Sequence, residues 1–383
     1  MSDERTDQAE ARTRTRAEID LDAVRTSVAA LAARAGAAAT MAVVKADGYG
    51  HGMLPCARAA LDGGATWLGT AFLEEALALR AAGITAPVLC WLSVPGERFT
   101  AAIDASIDLS ASAPWTLREI AAAARSVGRP ARVHLKADTG LGRAGATPAD
   151  WPALCDEAAA LQAEGVIEAF GVWSHLAFAD APGHPTVQAQ IGVFRDAVAI
   201  AEKTGLTPTV RHLANSAATL VSPEAHFDLV RPGVSVYGLS PGPEVGPPGR
   251  FGLRPAMTLV SHAALVKRVP AGTGVSYAHR YTTTGDTTLA VVPLGYADGI
   301  PRAATNLGEV LFAGRRRRIA GTVCMDQFVL DIGDDAAAAG DEVVLFGPGG
   351  RGEPTADDWA AALDTINYEI VTRIGTRVPR VYR

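Results

Sequence analysis

Short β-branched apolar runs alternate with Ala/Leu/Glu-rich amphipathic stretches through most of the chain, and this alternation leaves few architectures open. The runs lie at residues 41–45, 67–71, 88–92, 108–112, 132–138, 169–175, 209–215 and 229–236. Between them, residues 54–61, 74–82, 117–127, 151–163, 187–203 and 217–221 repeat apolar positions at helical spacing. Several of these stretches stop at glycine (Gly83, Gly128, Gly165, Gly205), the residue that most easily adopts the left-handed conformation closing a helix. Strands separated by helices pair in parallel, and eight such units predict a closed (β/α)8 TIM-type barrel. A doubly wound open sheet is the competing arrangement, but its Gly-x-Gly-x-x-Gly turn after the first strand is absent.

The texture changes after a Pro/Gly-rich segment at 240–255. Beyond it, β-branched runs at 257–269, 288–294, 317–323, 328–332 and 342–346 predict a mostly β domain, with one late helix capped by Thr355 and carrying Asp357 and Asp358 in its first turn. The expected division is a disordered tail at 1–16, a barrel at 17–252 and the β domain at 253–383. With 48% hydrophobic residues over 383 positions, such a chain buries a core without cross-links. Its four cysteines (Cys56, Cys90, Cys155, Cys324) are scattered without a C-x-x-C pair, so neither disulfides nor a metal site are expected. The balance of 35 basic against 41 acidic residues gives a charge of −6, which argues against a nucleic-acid partner. The run Arg315–Arg318 reads as a solvated strand or turn. No apolar run is long enough to span a membrane, and the polar N-terminus lacks a secretory signal, so a cytoplasmic location is expected.

Barrel enzymes place reactive groups at strand C-termini. Lys45 ends the first run in AVVKADGYGHG. Flanked by Val43 and Val44, it is a plausible desolvated amine for attack on a carbonyl; the alternative is a lysine that snorkels to water. The fifth run leads through Lys136 and Asp138 to Arg143 in a glycine-rich loop suited to gripping an anion. A Lys136–Asp138 surface pairing is the plain alternative. The sixth run ends at His175, and the seventh at His212 followed by Asn215 and Ser216. Ser216 suits either an anion contact or a helix N-cap. The eighth carries Arg231 ahead of Gly233 and Val234, where an inward arginine needs a polar partner. In the β domain, Tyr277, Tyr296, Met325 and Tyr368 stand in GVSYAHRY, GYADG, CMDQ and INYE.

Together these segments carry a resemblance that none carries alone. From Glu18 to Arg383 the chain resembles the alanine racemase family of fold-type III pyridoxal-phosphate enzymes, through AVVKADGYGHG, HLANSA, VRPGVSVYG, GYADG, GTVCMDQ and INYE in order and spacing. The resemblance implies a PLP-dependent, two-base interconversion of L- and D-alanine that supplies D-alanine for peptidoglycan. It implies that Lys45 carries the cofactor and acts as one base, with Tyr277 as the base on the opposite face of Cα. Arg231 then faces the pyridine nitrogen, His175 links Arg231 to Tyr277, and Arg143 meets the substrate carboxylate, held by a Lys136 that can be carbamylated. Tyr49, Asn215, Ser216, Gly233, Val234 and Tyr368 are implied to hold the cofactor. Tyr296 and Met325 are implied to wall the side-chain pocket, with Asp180, Arg302 and Asp326 along the substrate's way in. A homodimer follows, because Tyr277, Tyr296 and Met325 serve the neighbouring subunit's site. Two departures stand out: Ala278 replaces a glycine common in relatives, and Thr322 stands where a basic residue can occur. A racemase of broader side-chain range, a decarboxylase and a non-catalytic PLP-binding protein are the rival readings.

Overall fold

A computed structural model describes residues 13–383. These form two units, Asp20–Ala256 and a second joining residues 13–19 to Met257–Arg383. In chain order the first nine strands are β1 (Thr15–Ile19), β2 (Ala39–Val43), β3 (Trp67–Thr70), β4 (Val88–Cys90), β5 (Asp108–Ala111), β6 (Ala131–Lys136), β7 (Ile167–Trp173), β8 (Val210–His212) and β9 (Leu229–Val230). In the first unit β2 to β9 form one sheet in the order β8-β7-β6-β5-β4-β3-β2-β9, every neighbour parallel. The sheet's two ends meet through Asp228 N–H to Arg211 O (3.0 Å) and Arg231 N–H to Ala214 O (2.9 Å). Those two bonds close the expected (β/α)8 barrel.

Helices follow the strands as the apolar spacing requires. The first, α1 (Leu21–Ala35), is capped by Asp20, whose carboxylate accepts from Ala23 N–H. It buries Val24, Val28 and Leu31 on one face. Each such side chain contributes about 1.5–3 kcal/mol on burial. Inside the barrel, Met41, Trp67, Leu89 and Leu229 make an apolar cluster. Beyond it the filling is polar, with Asp108, Ser110, His134 and His212 all buried.

The second unit contains β10 (Met257–His262), β11 (Leu265–Val269), β12 (Gly274–Val275), β13 (Tyr281–Thr282), β14 (Thr287–Val292), β15 (Glu309–Phe312), β16 (Arg315–Arg318), β17 (Phe328–Gly333), β18 (Glu342–Phe346) and β19 (Arg380–Tyr382). A six-stranded sheet runs β16-β15-β18-β10-β1-β19, and a smaller one runs β11-β14-β17. The arginine-rich β16 lies at an edge, where charged side chains discourage further strand pairing. The late helix Ala356–Ala362 has its predicted cap: Thr355 accepts from Asp358 N–H, and Asp358 accepts from Thr355 N–H.

Four expectations change. The run at 229–236 is a strand only to Val230, because Pro232 has no N–H to offer a ladder and residues Val234–Tyr237 turn as a 3-10 helix. The run at 257–269 is two strands. Ala263 N–H donates to Asp341 O and Ala264 N–H to Val291 O, so the chain passes from one sheet to the other at that point. The run at 317–323 is displaced to Arg315–Arg318, and Gly321, with φ of 83°, lies outside any strand. Of the expected tail, residues 1–12 lie outside the described residues, whereas Thr15 and Arg16 are strand, paired with Ser261 and Val260.

Candidate active site

Lys45 leaves β2 directly into a left-handed turn. Ala46, Asp47, Gly48 and Tyr49 all have φ between 51° and 62°. The three non-glycine residues among them, Ala46, Asp47 and Tyr49, each cost about 1–2 kcal/mol in that conformation, so the surroundings must hold them there. Glu75 accepts from Ala46 N–H (2.6 Å), Asp47 from Met53 N–H (2.8 Å), and Val44 O from Gly48 N–H (2.9 Å). The turn leaves Lys45 half-buried. Burial first, and then the charge of Arg143, hold its amine below the ordinary lysine range, with Glu75 opposing.

The turn ends at Tyr49, which is buried with its ring 5.1 Å from that of Tyr237. Tyr237 anchors this side by donating to Val43 O (3.1 Å). Across from Tyr49 comes the segment after β9. A Cβ at Gly233 would overlap Tyr49 Oη and lie 3.0 Å from Cζ, so only glycine lets backbone and phenol approach this closely. Ser216 Oγ accepts from Gly233 N–H (2.8 Å) and Ser235 N–H (3.4 Å). Ser216 is therefore not the helix cap. Asn215 takes that role, accepting from Ala218 N–H (3.1 Å). Tyr49, Ser216 and the Gly233–Val234 backbone thus form one hydroxyl and amide cluster.

Arg231 is buried, and both terminal nitrogens of its guanidinium are engaged. Nη1 donates to His212 Nδ1 (3.1 Å); Nη2 donates to Ser174 O (2.7 Å), Leu213 O (3.2 Å) and His175 Nδ1 (3.3 Å). Burial pulls it down to about 9, so it remains charged at pH 7. Burial, then Arg231 and the neighbouring lysines and Arg143, push His175 well below its ordinary value, so that imidazole is neutral.

Lys136, the last residue of β6, is buried with Nζ 4.0 Å over the Trp173 ring. Burial, Arg231 and Arg143 bring it down to about 7 against the pull of Asp138. The Lys136–Asp138 surface pairing is thereby corrected. Asp138 spends its carboxylate on Gly140, Leu141 and Gly142 N–H groups, shaping the loop that carries the exposed Arg143. Lys45, Lys136, Arg143, His175 and Arg231 interact electrostatically at the C-terminal ends of the barrel strands.

The remaining predicted residues lie in the β unit. Tyr277 is 71% exposed on a short turn between β12 and β13. Its loop is clasped from below: Thr322 Oγ1 donates to Tyr277 O (2.8 Å), and Ser276 Oγ donates to Thr322 O (2.7 Å). This gives buried Thr322 a backbone role. Ala278 has φ of 59°, which accounts for glycine being acceptable there. Tyr296 N–H donates to Cys324 O and Ala297 N–H to Met325 O, both at 3.0 Å, so exposed Tyr296 and Met325 sit on joined loops. Asp326 pairs with Arg377 (2.8 Å), Tyr368 is half-buried on the helix Asn367–Thr372, and Arg302 is exposed, as is Asp180 of the barrel unit.

Sequence reasoning passed over Glu75, Tyr237, Asp108 and His134. The last had a signal: in a barrel strand covered on both faces, the alternation Val133-His134-Leu135-Lys136 puts His134 and Lys136 on the same side. Among the described residues no group of three or more His, Cys, Asp or Glu side chains could hold a metal ion.

The cluster suits an anionic, carbonyl-bearing cofactor: a depressed amine to bond it, buried cations beside it, and hydroxyls with backbone amides at one end. Comparison with known proteins points the same way. The description "Alanine racemase, N-terminal domain" matches residues 19–241, and "Alanine racemase, C-terminal domain" matches 256–382. An alanine racemase of Frankia casuarinae is 84% identical over 344 residues, 90% of each chain. The crystal structure of the alanine racemase from D-cycloserine-producing Streptomyces lavendulae is similar with a TM-score of 0.96 at 61% identity, covering 98% of each chain. That of Corynebacterium glutamicum has a TM-score of 0.85 at 38% identity, covering 97% of this chain and all of the other.

Proposed function

The chain belongs to the alanine racemase family, and from that premise we propose that it interconverts L- and D-alanine with pyridoxal 5′-phosphate as cofactor. The observation that carries this reading is the depressed Lys45 amine just past the end of β2, within the field of Arg143 and buried Lys136. Bound there, pyridoxal phosphate supplies a conjugated, electron-withdrawing ring that acidifies the Cα–H bond of an attached amino acid.

The chain's own residues do the rest. Lys45, neutral more readily than an exposed lysine, bonds the cofactor and moves a proton on one face of Cα. Tyr277 moves the proton on the other face, so removal on one side and return on the opposite side invert the centre. Arg231, a donor at every nitrogen and charged at pH 7, would meet the cofactor's ring nitrogen as a donor and disfavour a second positive charge there. Ser216, Tyr49 and the amides at Gly233 and Val234 hold the phosphate. Arg143 orients the substrate carboxylate, and Lys136, with an amine near half neutral at pH 7, is suited to carbamylation. Tyr296 and Met325 limit the side chain to something near a methyl group. In this reading two copies pair so that Tyr277, Tyr296 and Met325 of each complete the other's site. The product serves peptidoglycan synthesis in the cytoplasm. No helix among the described residues is long and apolar enough to cross a membrane.

The test is incubation of the loaded protein with L-alanine in D2O. Deuterium at Cα with decay of optical rotation is the expected result. Release of CO2 would mean decarboxylation, and neither change would mean a non-catalytic carrier; either outcome overturns the proposal.

A further inference from the structure

Three buried polar side chains inside the barrel take no part in the chemistry above: His212, His134 and Asp108. They form a line from the mouth to the opposite end. Arg231 Nη1 meets His212 Nδ1 (3.1 Å), His212 Nε2 meets His134 Nδ1 (2.9 Å), and His134 Nε2 meets Asp108 Oδ2 (3.2 Å). Asp108 begins β5 and is 3.0 Å from Arg132 Nη2. The Arg132 guanidinium stacks 3.7 Å over the Phe170 ring.

Only one order of protons satisfies this line. A guanidinium has donors and no acceptor, so His212 Nδ1 must accept. Neutral His212 then carries its hydrogen on Nε2 and donates it to His134 Nδ1. His134 in turn carries its hydrogen on Nε2 and donates to the Asp108 carboxylate. Reversal is impossible while Arg231 stands at one end and a carboxylate at the other. Both rings are fixed sideways: His212 stacks parallel on Trp173, and His134 meets the Trp67 ring edge-on.

Gly171 supplies an independent observation. It lies on β7, between the strands that carry the two histidines, and a Cβ there would overlap His134 Nδ1 and lie 3.0 Å from Cγ and Cε1. Glycine at this strand position leaves the gap through which His134 reaches His212.

We propose that Asp108, acting through His134 and His212, is a positioning residue for Arg231: the carboxylate at one end of the barrel holds both imidazoles in the one proton order that the guanidinium at the other end can bond, so that His212 keeps a lone pair turned to it. The consequence for catalysis rests on the reading of Arg231 as the group facing the cofactor nitrogen; the proton order does not. Without an acceptor for His134 Nε2–H, either imidazole can turn its hydrogen toward its neighbour's donor. Arg231 then loses one of the bonds that hold its plane.

The chain has eight histidines, few enough for individual resonances. Long-range 15N–1H correlation on 15N-histidine-labelled apoprotein reads tautomers directly, with His134→Gln and His212→Gln for assignment. Both residues are expected as single Nε2–H tautomers in the wild type. Asp108→Leu and Gly171→Ala should each give mixed tautomers at His212, while Asp108→Asn, which keeps an acceptor oxygen, should retain most of the wild-type pattern. In the loaded enzyme, Asp108→Leu and Gly171→Ala should lower kcat roughly tenfold, the loss of about one buried charge-assisted hydrogen bond. KM should stay within about twofold, because Arg231 is not asked to bind substrate. A wild-type His212 bearing its proton on Nδ1, or unchanged tautomers and kcat in both disrupting variants, overturns the proposal. The wild-type spectrum decides even if a variant fails to fold. If the apoprotein shows the expected tautomers yet binds no pyridoxal phosphate, the functional reading falls and takes the catalytic consequence with it, while the proton order stands.

Discussion

Gly233→Ala sets a methyl against the Tyr49 phenol in the proposed phosphate cradle. The backbone at Gly233 has φ of −112° and ψ of −90°, and the cost that pairing with a Tyr49 variant isolates is the overlap of the new methyl with the phenol. The phenol must move away by roughly an ångström to reach ordinary contact. Forced repacking of this kind costs about 1–3 kcal/mol. In the apoprotein Tyr49 can relieve it by shifting; in the loaded protein the phenol has to return, so the cost should be felt as a loss of cofactor affinity of roughly 5- to 150-fold. Tyr49→Phe removes Oη, the atom in overlap, and leaves Cζ at 3.0 Å, a contact that a shift of a few tenths of an ångström relieves. Gly233→Ala should therefore cost less in the Tyr49→Phe background, with a coupling near 1 kcal/mol. Fluorescence titration of the four apoproteins with pyridoxal phosphate measures the cycle, and urea unfolding of each checks that the apo state keeps its stability. Wild-type affinity in Gly233→Ala, or effects that add within about 0.5 kcal/mol, would refute the placement of Tyr49 against Gly233 in the loaded site.

Lys45→Ala and Tyr277→Phe homodimers should each be nearly inactive, whereas mixed dimers should recover one working site; heterodimers that form and stay dead would exclude site sharing. Ala278→Gly should stabilise the β unit by about 0.5–1 kcal/mol, since Ala278 has φ of 59° and glycine bears no left-handed penalty, read as a rise in denaturant midpoint. Lys136 binds its proton with pKa about 7 when folded against the usual 10.5, so between those values the unfolded chain holds more protons. Its contribution to apoprotein stability therefore rises with pH across that window, by at most about 1.4 kcal/mol per unit. Lys136→Met should flatten the difference in unfolding free energy between pH 7.5 and 9.5; equal slopes in the two proteins would show that the amine is not desolvated.

Much of the fold was legible because it rests on local chemistry. The helix stops at Gly83, Gly128, Gly165 and Gly205 have positive φ, and Thr355 caps its helix as its spacing with Asp358 suggests. Where local chemistry left a choice open or gave no signal, a partner distant in sequence decided. Ser216 suited either an anion contact or a cap; Gly233 N–H, seventeen residues on, donates to its hydroxyl, and Asn215 caps instead. For Lys136 a surface pairing with Asp138 was the plain alternative to a place in the site, and Trp173 and the neighbouring cations that enclose it rule that alternative out. Strand β1 escaped notice because its five residues find their partners more than two hundred positions away, in β10 and β19.

What the amino-acid order determined by itself was the alternation that makes a parallel barrel, the change to β texture after residue 255, and the set of reactive side chains at strand ends. Periodicity and capping depend on neighbours a few residues apart, so they can be read along the chain. Only the tertiary structure decided which of those side chains are desolvated, which hydroxyl cradles which amide, and in what order protons lie between Arg231 and Asp108. Those properties depend on fields and contacts between strands brought together by closure of the barrel, and no local pattern encodes a distance across it.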